Sequence, residues 1–217
     1  MLRATPSELT SLDQIVRQLA RSVGGKRPLL SAKIIQALWQ CVADAVGPAS
    51  NAAAAVAHAR GALAVLSMAA AGDSSAVMGS GTSEKSTEVW LKRMKVLCKG
   101  ALRAPSATHP SAEWELLRCA CVLLQRLDVA SFGAAAAESE GDRAAPSKAA
   151  RVLTLLSSQC EKVIDGTWAS FVATEEDACA WYGAGEQALN ALFVLNNRLC
   201  ATGAAARPEE IAARVVK

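Results

Sequence analysis

Residues 180–195 read AWYGAGEQALNALFVL, and the periodicity of this stretch decides the fold. Positions three, four and seven apart share a helix face, so Trp181, Ala184, Gly185, Ala188, Leu192, Leu195 and Leu199 fall on one narrow seam. Tyr182, Leu189 and Phe193 form a second seam beside it, and Gln187, Asn190 and Asn197 take the remaining arc with Gly183. Two apolar seams mean two neighbours, as in a stacked array of helices. Each glycine costs about 1 kcal/mol relative to alanine inside a helix. Gly185, on the main seam, is expected to let a neighbouring helix approach closely, so Trp181, Tyr182, Gly185, Ala188 and Leu192 make up the packing signature.

The composition agrees with helix. Aromatic residues are only 4% of the 217, alanine is abundant and β-branched runs are few, which favours an almost all-α protein. The N-terminus has no apolar signal-like core, and the most apolar tract, residues 52–71, is broken by His58 and Arg60. Neither secretion nor membrane spanning is expected. The seven cysteines lack metal-site spacing, since Cys119 and Cys121 are separated by one residue. They read as reduced core thiols of an intracellular protein, with no metal and no cofactor.

Helix signals punctuate the whole chain. A helix capped by Ser7 runs to Gly24-Gly25; the next, PLLSAKIIQALWQCVADAV, stops at Gly47-Pro48; a third begins near Asn51 and closes on Gly72. STEVWLKRMKVLCKGALR is the fourth, and HPSAEWELLRCACVLLQRLD the fifth, apolar around most of its circumference and so buried against more than one neighbour. Residues 131–147 are a low-complexity stretch of small and charged residues, expected to be a disordered loop. Two long helices follow, over about 147–164 and 175–200, and a last one starts after Pro208 with acids in its first turn. Paired helices beginning near Pro28, Ser86 and Ser147 predict an irregular α-solenoid of antiparallel helix pairs, HEAT- or armadillo-like, as a single region over residues 1–217.

Chemistry-bearing motifs are sparse. GSGTSEKS, residues 79–86, has the outer spacing of a phosphate loop, but Glu84 replaces the second glycine and no hydrophobic strand precedes it, so a plain linker is the better reading. His58 and His109 have no ligand or nucleophile pattern around them. No catalytic residue is expected.

The charge is more informative. Residues 1–130 carry 15 Lys/Arg against 9 Asp/Glu, or +6, whereas residues 131–217 carry 8 against 11, or −3. In the fourth helix Lys92, Lys95, Lys99 and Arg103 follow spacings of three, four and four and share a face, widened by Arg93. Such a ridge could grip a duplex phosphate backbone without reading sequence; an ordinary solvated helix face has the same pattern. No aromatic residue interleaves with these bases, which argues against single-strand stacking.

SAKIIQALWQCV, ARGALAVLSMAAAGDSSAV, EWELLRCACVLLQRL, WYGAGEQALNALFVL and RPEEIAARVVK, in that order, resemble the central HEAT region of the condensin complex subunit 1 family, the D-type non-SMC regulatory subunits of condensin. The similar blocks run from residue 31 onward, and family members are several times longer, so the chain is expected to be an internal piece. The resemblance implies a non-catalytic scaffold in the nucleus and on chromosomes, with a cytoplasmic pool allowed. It would work with a kleisin and SMC ATPases in mitotic chromosome condensation and touch duplex DNA through basic HEAT surfaces. The alternative from the residues alone is a HEAT or armadillo adaptor that binds peptide or cargo and never meets DNA.

Overall fold

The computed structural model describes residues 30–45, 52–79, 84–106, 110–127 and 148–201. Within them seven α-helices follow one another: α1 Ala32–Asp44, α2 Ala52–Gly72, α3 Ser74–Met78, α4 Glu84–Gly100, α5 Pro110–Arg126, α6 Lys148–Ile164 and α7 Glu175–Ala201. A single 3-10 turn, Ala169–Phe171, precedes α7, and no strand occurs among the described residues. The described residues are all-α, as the composition predicts. The helices expected at Ser7 and after Pro208, the stretch 131–147 and His109 lie outside the described residues.

Local chemistry sets the helix ends. Ser31 Oγ accepts the Ile34 N–H at 3.4 Å and opens α1. Asp73 caps α3 through the Ala76 N–H at 2.9 Å, and its carboxyl is held below the usual range by the Ser75 hydroxyl and that N–H. At α7 the cap is reciprocal: the Asp177 N–H donates to Thr174 Oγ1 at 3.1 Å, and the Thr174 N–H donates to Asp177 Oδ2 at 3.0 Å. This capping box explains why Asp177 is buried. The pattern T-x-x-D at 174–177 announces it in the sequence.

The helices stand in two rows. In one, α1 packs on α4 and α4 on α6; in the other, α2 packs on α5 and α5 on α7. The rows are joined by α1 against α2 and by α6 against α7, while α3 bridges α2 and α4. Both rows feed one core, in which Leu63, Leu66, Trp90, Met94, Trp114, Leu117, Leu156 and Ala188 are all shielded from solvent. α5 touches both α2 and α7, which accounts for its broad apolar circumference. Polar side chains pin these contacts to backbone carbonyls: Arg126 Nη1 donates to Ser67 O at 3.1 Å, and Gln125 Nε2 to Gln187 O and Oε1, both at 3.1 Å.

By length and composition α2 could cross a membrane over Ala53–Gly72. In the fold Val56, Ala59, Leu63 and Leu66 are buried in the core, and His58 and Arg60 are exposed.

On α7 the expected seam needs correcting. Ala180, Ala184, Ala188, Ala191, Leu192 and Leu195 are buried, but the second seam is not: Tyr182 is 74% and Phe193 58% exposed. Gly185 is not at a close approach either, because a Cβ added there meets nothing within 4 Å. Gly183 is the tighter of the two, with Arg118 Cδ of α5 at 3.4 Å from such a Cβ. Trp181 keeps its packing role and donates its indole N–H to Val163 O of α6 at 3.2 Å. The buried arc is thus centred on Ala184, Ala191 and Leu195, and Gly185 falls just past its edge.

Candidate nucleic-acid interface

α4 divides its residues cleanly. Trp90, Met94, Leu97 and Cys98 face the core, and Lys92, Lys95 and Lys99 are exposed on the other side. Lys92 Nζ sits 2.7 Å from Glu88 Oε1, one turn earlier, with both side chains mostly in solvent. That pair holds the Glu88 carboxyl below the usual range through the Lys92 hydrogen bond and charge. Pairs of this kind are worth little and are readily exchanged for another anion. Lys95 and Lys99 have no ion pair among the described residues.

The two arginines behave differently from the lysines. α4 ends at Gly100, so Arg103 lies beyond the helix and does not continue its face. Its Nη2 pairs with Glu113 Oε1 at 3.3 Å, and the other Glu113 oxygen accepts the Ser106 N–H. Glu113 is buried, so Arg103 is spent on closing the α4–α5 connection.

Arg93 turns inward. Its Nη1 donates to Val77 O at 2.6 Å, the same carbonyl that accepts the Trp39 indole N–H at 3.1 Å. Its guanidinium also lies over the Trp39 ring, 5.8 Å from the centroid, and burial lowers its pKa. One carbonyl in the last turn of α3 thereby ties α1, α3 and α4 together, with a cation at the negative end of a helix. Gly79 closes α3 with φ +79°, and a Cβ there would meet Arg93 Nη1 and Val89 Cγ1 at 3.0 Å. The first glycine of the phosphate-loop look-alike is therefore a helix C-cap.

Arg93→Ala is expected to lower stability by about 2 kcal/mol, since it removes a charged hydrogen bond and a cation–π contact together. Urea unfolding measures it. An unchanged midpoint would mean that the Val77 carbonyl finds other partners at no cost.

Two further exposed cations, which the sequence alone did not single out, lie on neighbouring helices. Lys33 of α1 and Arg151 of α6 are exposed, on the helices that flank α4 in its row. Each sits opposite its helix's buried residues, Ile35 and Trp39 in α1 and Leu153 and Cys160 in α6. Only the neighbour relations of α1, α4 and α6 bring them into question, and no sequence spacing reports those. The exposed residues of this row thus include Lys33, Lys92, Lys95, Lys99 and Arg151.

The thiols offer no reactive nucleophile in the interior. Cys98, Cys121 and Cys160 are buried. Burial pushes the Cys98 thiol up to about 12. Cys121 is raised by its hydrogen bond with Cys160 and by burial. Cys98 and Cys121 therefore stay protonated and inert at neutral pH. Among the described residues no group of three or more His, Cys, Asp or Glu could hold a metal ion.

A pH dependence follows. Between about 8.5 and 12 the unfolded chain releases the Cys98 proton and the folded chain keeps it, so stability is full below about pH 8.5 and falls as pH rises. The loss is about 1.4 kcal/mol per pH unit for each such thiol. In urea titrations from pH 8 to 11, Cys98→Ala is expected to flatten this slope by about one proton. An unchanged slope would show that Cys98 ionises freely in the folded state.

No family model, curated protein or solved structure matches the chain.

Proposed function

We propose that the chain is part of a HEAT-type α-solenoid that serves as a non-catalytic scaffold in a condensin-type complex. The observation that carries this reading is the row pattern: α1, α4 and α6 stack in one row and α2, α5 and α7 in the other, so successive helices alternate between two layers. Four of the five sequence blocks that resemble condensin complex subunit 1 fall on α1, α2 with α3, α5 and α7, in the same order, and the fifth, residues 207–217, lies outside the described residues. The partners are then a kleisin and SMC ATPases, which supply the ATP hydrolysis, and the place of action is the chromosome. Duplex DNA lies across the exposed α1–α4–α6 row, held by Lys92, Lys95 and Lys99 with Lys33 and Arg151 beside them.

Affinity purification of the tagged full chain from dividing cells tests the assignment. SMC ATPases and a kleisin are expected among the recovered proteins. Their absence, with cargo-type proteins recovered instead, would replace the condensin reading by the adaptor one.

A further inference from the structure

The fold leaves one apolar strip of α7 uncovered. Tyr182 is 74% and Phe193 58% exposed, and Leu189 between them is half-buried. Beside the strip lies a cavity of about 260 Å³, walled by Val163 and Ile164 of α6 and by Trp181, Tyr182 and Leu189 of α7. Gly185 opens onto it, since a Cβ there meets nothing within 4 Å. At the far end of the strip Asn196 Nδ2 is buried with no hydrogen-bond partner among the described residues. Large exposed rings on one helix face mark a surface that a partner covers.

We propose that the partner is a second copy of the chain, its α7 lying antiparallel on the first about a two-fold axis through Leu189. The spacing carries the argument. Tyr182, Gly185, Leu189, Phe193 and Asn196 follow intervals of three, four, four and three, which read the same in both directions. They also fall within about 80° of the helix circumference. A two-fold axis at Leu189 therefore sets Phe193 of one copy against Gly185 of the other, Tyr182 against Asn196, and Leu189 against its own counterpart. Large meets small in this register. The protruding Phe193 ring meets the position that lacks a side chain, beside the cavity that this position opens. The Tyr182 hydroxyl comes level with Asn196, whose Nδ2 lacks an acceptor. A two-fold interface needs one surface to hold both the knob and its hole, and this strip holds both. Charge does not oppose the pairing, because Glu186, at the cavity rim, stands about 9 Å along the helix from its counterpart. At their present exposure the Tyr182 and Phe193 rings of both copies bury roughly 500 Å² on pairing. The surfaces that they press on lose a comparable area, so the total is about 1,000 Å², the lower limit for a specific interface. The dimer is accordingly weak, with a Kd on the order of 10 μM. This pairing rests neither on the condensin reading nor on DNA.

Sedimentation equilibrium of the full-length chain, from about 1 to about 500 μM, tests the pairing. A monomer–dimer equilibrium is expected, and Phe193→Ala and Gly185→Leu are each expected to weaken it at least about tenfold. Neither change enters the core, because Phe193 is exposed and Gly185 faces open space, and circular dichroism checks the fold. The double variant Gly185→Phe with Phe193→Ala exchanges knob and hole. It is expected to recover dimerisation to within about threefold of the unaltered chain, because antiparallel copies still set position 185 against position 193. If a change at Gly185 prevents folding, Phe193→Ala and Tyr182→Ala decide. A chain that stays monomeric across the range overturns the proposal, as does a dimer that Phe193→Ala leaves intact. Single changes that dissociate the dimer, with no recovery in the folded double variant, overturn the two-fold axis at Leu189 and the proposal with it.

Discussion

Ala188→Phe is expected to destabilise the fold by about 3 kcal/mol, while Gly185→Ala, three residues earlier on the same helix, is expected to stabilise it by up to about 1 kcal/mol. Ala184, Ala188 and Ala191 are fully buried, and these small residues let α7 lie close to its neighbours. A phenyl ring at Ala188 has no space to enter, so either side chains leave their rotamers or the helices separate. Separation would also stretch both 3.1 Å bonds from Gln125 to Gln187. At Gly185 the added methyl meets nothing within 4 Å, and the helix gains the propensity that glycine forfeits. Gly183→Ala should fall between the two, because the atom it meets, Arg118 Cδ at 3.4 Å, belongs to a flexible side chain. Urea unfolding of the three variants gives the order. A loss at Gly185→Ala as large as at Ala188→Phe would mean that the seam is centred one residue later than the structure places it.

This contrast marks how far a helical wheel can be read. Helix limits were largely legible, because Gly72 and Gly79 are chemical punctuation and the 174–177 capping box has its own signature. The centre of a buried arc was less so. Trp181 and Leu192 pull an apolar seam toward Gly185, yet Trp181 is only half-buried and lies at the edge facing α6. Composition cannot separate a residue at the middle of an interface from one about 100° round the helix when both are small.

The basic ridge was legible in part for a related reason. Lys92, Lys95 and Lys99 lie opposite Trp90, Met94 and Leu97, and periodicity alone places them in solvent. Arg93 borders the apolar face, so its long side chain could go either way. It goes inward because Val77 O and the Trp39 ring wait there, 16 and 54 positions away along the chain. Arg103 was lost to the ridge by three residues of helix length, and its buried partner Glu113 lies on another helix.

The triple change Lys92→Glu, Lys95→Glu and Lys99→Glu is expected to weaken duplex DNA binding by at least about 100-fold at low salt. Each lysine that meets a phosphate releases counterions on binding, so losing three contacts should make the plot of log affinity against log salt shallower by about three units. Lys92 contributes least, because it must first leave Glu88. Lys95→Glu and Lys99→Glu alone should therefore carry most of the loss. Arg93→Ala is the internal control: it disturbs packing yet should leave the salt slope unchanged, since its guanidinium is already held by Val77 O and the Trp39 ring. Fluorescence anisotropy with one duplex across a salt series reads both quantities. If the triple variant keeps its affinity and slope, α4 is a solvated face and the DNA assignment falls; if Arg93→Ala flattens the slope as the lysines do, the guanidinium must leave α3 to meet the duplex. The two arms thus separate a ridge that binds phosphate from an arginine that holds the fold beneath it.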